Sequence, residues 1–157
     1  MAGSPVPTIL LVDDDPTNLQ LLKATLRRLG ADLRLARSGE EALAVAREAR
    51  PTLILLDVML PGIDGFETCR QLKADPATAD AAVVFLSALD DARDKVQGLS
   101  VGAVDYIAKP FQPQEVLARV QTHLTVQQLR AELAERNRQL AAANQQILEA
   151  VAEGICG

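Results

Sequence analysis

The chain has two cysteines, one histidine, no tryptophan and no long apolar run, and these scarcities close off several protein classes. Cys69 and Cys156 lie far apart in sequence and show no metal-ligand spacing. A disulfide framework is therefore not expected, and a reducing compartment fits better. No apolar stretch approaches the ~20 residues that a membrane-spanning helix requires. The opening MAGSPVP lacks a basic segment followed by an apolar one, so no signal peptide is expected. Basic charge is also in deficit. Lys and Arg total 16 against 21 Asp and Glu, a formal net charge of -5. That balance disfavours non-specific binding to nucleic acid or to an anionic membrane. The expectation is a soluble, cytoplasmic chain with neither nucleic acid nor membrane as a partner.

At 157 residues the sequence holds one domain with some chain left over. Its central stretch is Leu53-Ile54-Leu55-Leu56-Asp57, followed by the loop Val58-Met59-Leu60-Pro61-Gly62-Ile63-Asp64-Gly65. A short apolar run bounded by turn signals reads as a strand buried on both faces, the kind found in parallel sheets covered by helices. A lone Asp at such a strand end commonly does no more than turn the chain. Asp57 has company from the rest of the sequence.

Thr8 to Val12 is a second continuous apolar run, and it ends in Asp13-Asp14-Asp15. Asp15 suits a helix N-cap and Pro16 the first helical position. Leu19, Leu22, Leu26 and Leu29 then recur at helical spacing until Gly30. Asp32 to Ala36 alternates polar and apolar residues, which predicts an edge strand with one solvated face. Ser38-Gly39-Glu40-Glu41 matches a capping box and opens a helix to about Arg50. Asp64-Gly65 opens another, with Phe66, Cys69 and Leu72 inward, and Asp75-Pro76 ends it. Ala82 to Leu86 is a fourth strand that runs into Ser87. The segment 90–99 makes a helix poor in large apolar residues, hence marginally stable. Residues 103–107 form a fifth strand at the other edge, and Lys109-Pro110 and a helix from Pro113 follow.

Strands alternating with helices predict an α/β fold, a doubly wound five-stranded parallel sheet. The order 2-1-3-4-5, flavodoxin-like, satisfies the placing of the alternating strands at the edges, with an extended C-terminal helix. In that order the winding reverses between the first and third strands, where such sheets bind ligands. Asp13, Asp14 and Asp57 meet there. Three carboxylates repel one another unless a cation joins them. Hard oxygen ligands suit Mg²⁺, which also takes phosphate oxygens. An Asp carboxylate can act as nucleophile and form an acyl phosphate. Ser87 can donate to a phosphoryl oxygen and Lys109 can place a positive charge beside it. A mononucleotide site would need a Gly-, Ser- or Thr-rich cradle after the first strand, and Asp13-Asp14-Asp15-Pro16 is the opposite. An aspartyl-nucleophile phosphatase would need a cap domain, for which there is little sequence.

Residues 8–124 resemble the receiver domain of two-component response regulators. The likeness is carried by Asp13-Asp14, by Asp57 with its Pro-Gly-x-Asp-Gly loop, by Ser87-Ala88 and by Lys109-Pro110. The resemblance implies that Asp57 accepts a phosphoryl group from a sensor histidine kinase or a phosphotransfer protein and that the domain later hydrolyses it. The domain would catalyse only its own phosphorylation and dephosphorylation and would not be an enzyme in the usual sense. It implies a Mg²⁺ site of Asp14, Asp57 and the Met59 backbone carbonyl, with Asp13 acting through a water. Ser87 and Lys109 would bind the phosphoryl group, Ser87 and Tyr106 would form the switch, and the bond before Pro110 would be cis. This chain has Ser87 where many members have Thr.

The helix from Pro113 does not stop where the domain should. Val116, Leu117, Val120 and Leu124 would face the sheet. Val126, Leu133, Leu140 and Ile147 then recur every seven residues, with Asn137 and Asn144 between them. A stripe of this kind calls for a parallel two-stranded coiled coil, hence a homodimer, with 125–148 as the coiled-coil linker; the alternative is a single solvated linker helix. Residues 149–157 resemble the opening of a PAS domain, and residues 1–7 read as a disordered lead. The chain would relay phosphorylation through the coiled coil to an output domain outside it. His123 has no acidic and basic sequence neighbours of a phosphorylated histidine and reads as structural. The rivals are a constitutive dimerisation module and the phosphatase.

Overall fold

A computed structural model describes residues 6–88 and 92–156, apart from the side chains of 92–94 and 153–156. Five strands and five α-helices alternate. In order they are β1 (Thr8–Val12), α1 (Pro16–Leu26), β2 (Asp32–Ala36), α2 (Gly39–Ala49), β3 (Leu53–Asp57), α3 (Gly65–Ala74), β4 (Ala82–Ser87), α4 (Ala92–Ser100), β5 (Asp105–Ala108) and α5 (Pro113–Cys156). All strand pairs are parallel, and the sheet order is β2-β1-β3-β4-β5. This is the predicted doubly wound order.

Burial follows from strand position. Every residue of β3 and β4 is buried, whereas edge strand β2 alternates between exposed and covered residues. Side chains alternate across a strand, so the inner strands feed two separate cores. Leu10, Val12, Ile54, Leu56, Val83 and Phe85 pack on one face with Ala42, Leu43 and Ala46 of α2 and Phe66, Cys69 and Leu72 of α3. Ile9, Leu11, Leu53, Leu55, Val84 and Leu86 pack on the other with Leu19, Leu22 and Leu26 of α1 and Val116 and Val120 of α5. Each Val, Leu or Ile side chain among them contributes about 1.5–3 kcal/mol when fully buried.

The helix starts are capped as their sequences suggest. The Asp15 carboxylate accepts from Thr17 N–H at 2.9 Å, Ser38 Oγ from Glu41 N–H at 3.1 Å and Asp64 Oδ1 from Glu67 N–H at 2.8 Å. The α2 cap departs from a full capping box. The Glu41 carboxylate reaches past Ser38 to the Arg37 N–H, at 3.1 Å, so the reciprocal bond shifts by one residue.

Three boundaries differ from the sequence reading. The first helix ends at Leu26, and Arg27–Leu29 tighten into a 3-10 turn that Gly30 closes at φ 70°; such tightening is common at helix C-termini. The fifth strand begins at Asp105 rather than Ala103, because the Ala103 N–H is engaged by Gly98 O at the end of α4. The Pro7 carbonyl accepts from Asp32 N–H at 2.9 Å, so the lead joins the sheet ladder before β1 begins. Residues 1–5 of that lead lie outside the described residues, as does the start of the 90–99 helix. α4 turns Gly98 onto the Phe85 ring, where a Cβ would come within 2.9 Å. Its Val96 and Leu99 remain exposed.

The chain divides into two units after Leu124. Val116 and Val120 in the first are fully buried. In the second, Val126, Leu129, Leu133, Leu140, Ile147, Leu148 and Val151 are all exposed. No helix among the described residues is long and apolar enough to cross a membrane.

Candidate functional site

The polar residues singled out from the sequence stand at or just beyond the carboxyl ends of four neighbouring strands. Asp13 and Asp14 follow β1, Asp57 is the last residue of β3, Ser87 the last of β4, and Lys109 follows β5. Backbone bonds continue the ladder past these ends. Val58 N–H donates to Leu86 O at 3.0 Å and Lys109 N–H to Ser87 O at 2.7 Å. The sheet therefore sets the lateral spacing of the site. The start of α3 presses against the same edge. A Cβ on Gly65 would lie 2.3 Å from Asp57 O and 2.7 Å from Val58 Cα, so no other residue fits without moving the backbone that carries Asp57.

Asp13, Asp14 and Asp57 each offer a carboxylate oxygen, and the three lie within 4.8 Å of one another. Asp13 and Asp57 are buried, and Asp14 is exposed. The Lys109 ammonium bridges the two buried ones, 2.9 Å from Asp13 Oδ2 and 3.0 Å from Asp57 Oδ2. Asp13 is further held by Asp15 N–H at 2.9 Å and by the Asn18 side-chain amide at 3.2 Å. On Asp57, Oδ1 accepts a longer bond, 3.2 Å, from Met59 N–H.

Burial pushes the Asp57 carboxyl above the ordinary aspartate range, and the Asp13 charge adds to this, while Lys109 pulls the other way. Burial alone would lower Lys109, but its bonds to Asp13 and Asp57 outweigh that and hold it above its usual value. Desolvation combined with a specific charge partner is the pattern of a working site. Three carboxylates against one ammonium leave two negative charges unbalanced. An all-oxygen donor set with that deficit, one ligand of it open to water, fits a hard divalent cation such as Mg²⁺.

Tyr106 lies on β5, half-buried against the core cluster that includes Phe85, and the Lys95 ammonium lies 5.8 Å from its ring centroid. The Lys109–Pro110 peptide bond is cis. His123 sits apart from the carboxylates. Its Nε2 lies 2.9 Å from Asp105 Oδ2, and the same carboxylate takes two bonds from Arg119, at 2.8 and 2.9 Å.

Three residues escaped the sequence reading. Asn18 braces Asp13. The Arg37 guanidinium holds the Asp14 carbonyl at 3.1 Å. The Glu40 carboxylate accepts from Ile63 N–H at 3.3 Å and so ties down the loop after Asp57. Asn18 alone had a local signal, since side chains in a first helical turn point back toward the N-terminus.

The family model for the response regulator receiver domain matches residues 9–121. The DNA-binding dual master transcriptional regulator RpaA of Synechocystis is 44% identical over 119 residues, covering 76% of this chain and 49% of that protein. The DNA-binding response regulator MtrA of Mycobacterium tuberculosis is 47% identical over 116 residues, covering 74% and 50%. The chain thus spans about half the length of the curated relatives it matches. Among solved structures, the BeF3-activated receiver domain of DrrB, from Thermotoga maritima, superposes with a TM-score of 0.70 at 34% identity, covering 76% of this chain and 98% of that one.

Proposed function

This chain belongs to the response regulator receiver domain family, and we propose that it takes a phosphoryl group on Asp57 from a phosphohistidine of a sensor kinase or phosphotransfer protein. The observation that carries this is the ion-paired trio, with Asp57 and Asp13 bridged by Lys109 at the ends of the central strands. An Asp57 carboxylate oxygen attacks phosphorus in line with the leaving imidazole nitrogen. The P–N bond breaks, an acyl phosphate forms, and the imidazole leaves neutral, its nitrogen having taken a proton from solvent water. Lys109 then meets phosphoryl oxygens instead of the free carboxylate, and the Ser87 hydroxyl donates to another. Attack of water on the same phosphorus returns Asp57 and inorganic phosphate. Mg²⁺ bound by Asp14, Asp57 and the Met59 carbonyl, with Asp13 acting through a water, would offset charge on the transferring group. The chain would turn over no other substrate.

Ser87 drawn toward the phosphoryl group makes room for Tyr106 to turn inward, a shift that α4, with little apolar anchorage, can follow. We assign the receiver to residues 8–124, a coiled-coil homodimer to 125–148 and the opening of a PAS domain to 149–157. The coil relays the change to an output domain. The setting is cytoplasmic, and this segment binds no nucleic acid.

Acetyl phosphate with Mg²⁺ should add one phosphoryl group by intact mass, and Asp57→Asn should abolish it. Label that persists in Asp57→Asn, or that maps to His123, would remove the assignment.

A further inference from the structure

The second unit raises a separate question, namely which arrangement of partner its exposed stripe admits. Val126, Arg130, Leu133, Asn137, Leu140, Asn144, Ile147 and Val151 are spaced alternately by four and three residues, and all are exposed. The positions divide into two sets. Val126, Leu133, Leu140 and Ile147 form one; Arg130, Asn137, Asn144 and Val151 form the other. Of the residues that flank the seam, Ala134, Ala141, Ala143 and Ala150 carry no charge and Arg136 carries one, and the Glu135–Arg138 ion pair closes within the helix on its outer side.

We propose that Asn137 and Asn144 are a two-layer register lock, which admits a second copy of this chain only parallel and in register. The proposal rests on the coiled-coil reading above and specifies its geometry. In a parallel pair each seam position meets its own counterpart. Asn137 then faces Asn137, and each amide offers the other a donor and an acceptor. Asn144 does the same one heptad on. In an antiparallel pair the two sets face each other, so every asparagine would confront Val126, Leu133, Leu140 or Ile147. A buried amide without a partner is costly. A parallel pair slipped by one heptad matches Asn137 with Asn144 but sets the remaining asparagines against Val151 and Arg130. Only the in-register pair satisfies both layers.

Disulfide trapping in the full chain tests this, with Cys156→Ser as background and the buried Cys69 retained. Val126→Cys and Val151→Cys, one from each set and opposite each other in a fully overlapped antiparallel pair, should each oxidise to a covalent homodimer. A mixture of the two should give no mixed disulfide. A predominance of the mixed species would establish an antiparallel pair and overturn the proposal. A mixture of Leu133→Cys and Leu140→Cys reports the one-heptad slip. Its mixed disulfide should be absent with the asparagines present and should appear once Asn137→Leu and Asn144→Leu are added. If those changes leave the pattern untouched, the asparagines set no register. Sedimentation of the unmodified chain as a monomer at all concentrations would dispose of the coiled coil itself. Acetyl phosphate labelling of Asp57 in each variant keeps the receiver reading separate, since it needs no dimer.

Discussion

Leu55 and Leu140 carry the same side chain into opposite surroundings. Leu55 lies in β3 with no exposed surface, between neighbours from β1, β4 and the helices of one face. Leu140 is 61% exposed on the tail helix. The first unit buries its two cores within one chain, though Val96 and Leu99 stay exposed; the second presents a stripe that a single chain leaves in water. The contacts that stabilise the first therefore lie within one chain, whereas under the dimer proposal burial of the second depends on concentration.

The largest expected effect belongs to the sheet. Leu55→Ala should cost about 2–5 kcal/mol in urea unfolding, through lost burial and the cavity left behind. A loss below about 1 kcal/mol would mean that β3 is not the centre of a close-packed core.

Next comes the charge cluster, where three carboxylates share one ammonium. The fold holds Asp57 above its ordinary range, so carrying its charge costs more in the folded chain than in the unfolded one. Asp57→Asn removes that charge with little change of shape and should melt higher than the parent in EDTA. Mg²⁺ should stabilise the parent by roughly 2.7 kcal/mol at one hundred times its Kd, and the variant by less. Four thermal melts, each protein with EDTA and with saturating Mg²⁺, decide it. A variant that melts lower in EDTA and gains as much from the metal would show that the carboxylates do not act together.

A smaller effect sits where β5 meets the base of α5. Burial alone would raise the Asp105 carboxyl, but bonds from His123, Tyr106 N–H and Arg119 outweigh it and hold the group below its usual range. A carboxylate depressed in the folded state stabilises the fold fully above its unfolded pKa of about 3.9, and that contribution disappears as pH falls through the folded value. Asp105→Asn should thus be less stable near neutrality, by on the order of 1 kcal/mol since Arg119 is part exposed. The gap between the two proteins should close below about pH 4. A gap that stays constant down to acid unfolding would mean that the ion pairs contribute nothing. The smallest expected effect returns to the tail. Leu140→Ala should leave receiver unfolding within about 0.5 kcal/mol of the parent while weakening self-association in sedimentation. Equal losses in both measurements would erase the distinction between the two units.

Much of the first unit was readable because its signals are local. Continuous apolar runs marked β1, β3 and β4 as inner strands and alternation marked β2 and β5 as edges, an assignment that the observed order satisfies. Asp13, Asp57, Ser87 and Lys109 could be placed because each ends or follows a strand. Arg37 and Glu40 could not, since each braces a residue 23 positions away across loops whose paths no periodicity encodes. Glu41 was identified as a cap residue, but its choice of the Arg37 N–H depends on a backbone turn that the motif leaves open. The late start of β5 has the same origin, because Gly102 at φ 106° spends the next N–H on closing α4.

The Lys109–Asp13 bond joins residues 96 positions apart, and this governs when the site can come into being. Pairing at such a distance must wait for the intervening chain, because the entropy of closing the loop is lost before any contact repays it. During synthesis Asp57 leaves the ribosome with Asp13 and Asp14 already made, an acidic trio with no ammonium to offset it. Lys109 is among the last residues of the receiver to appear, and Val116 and Val120, which seal the second core, come later still. The proposed phosphoryl site is thus a marker of completed folding, and no fragment that stops short of Lys109 contains it.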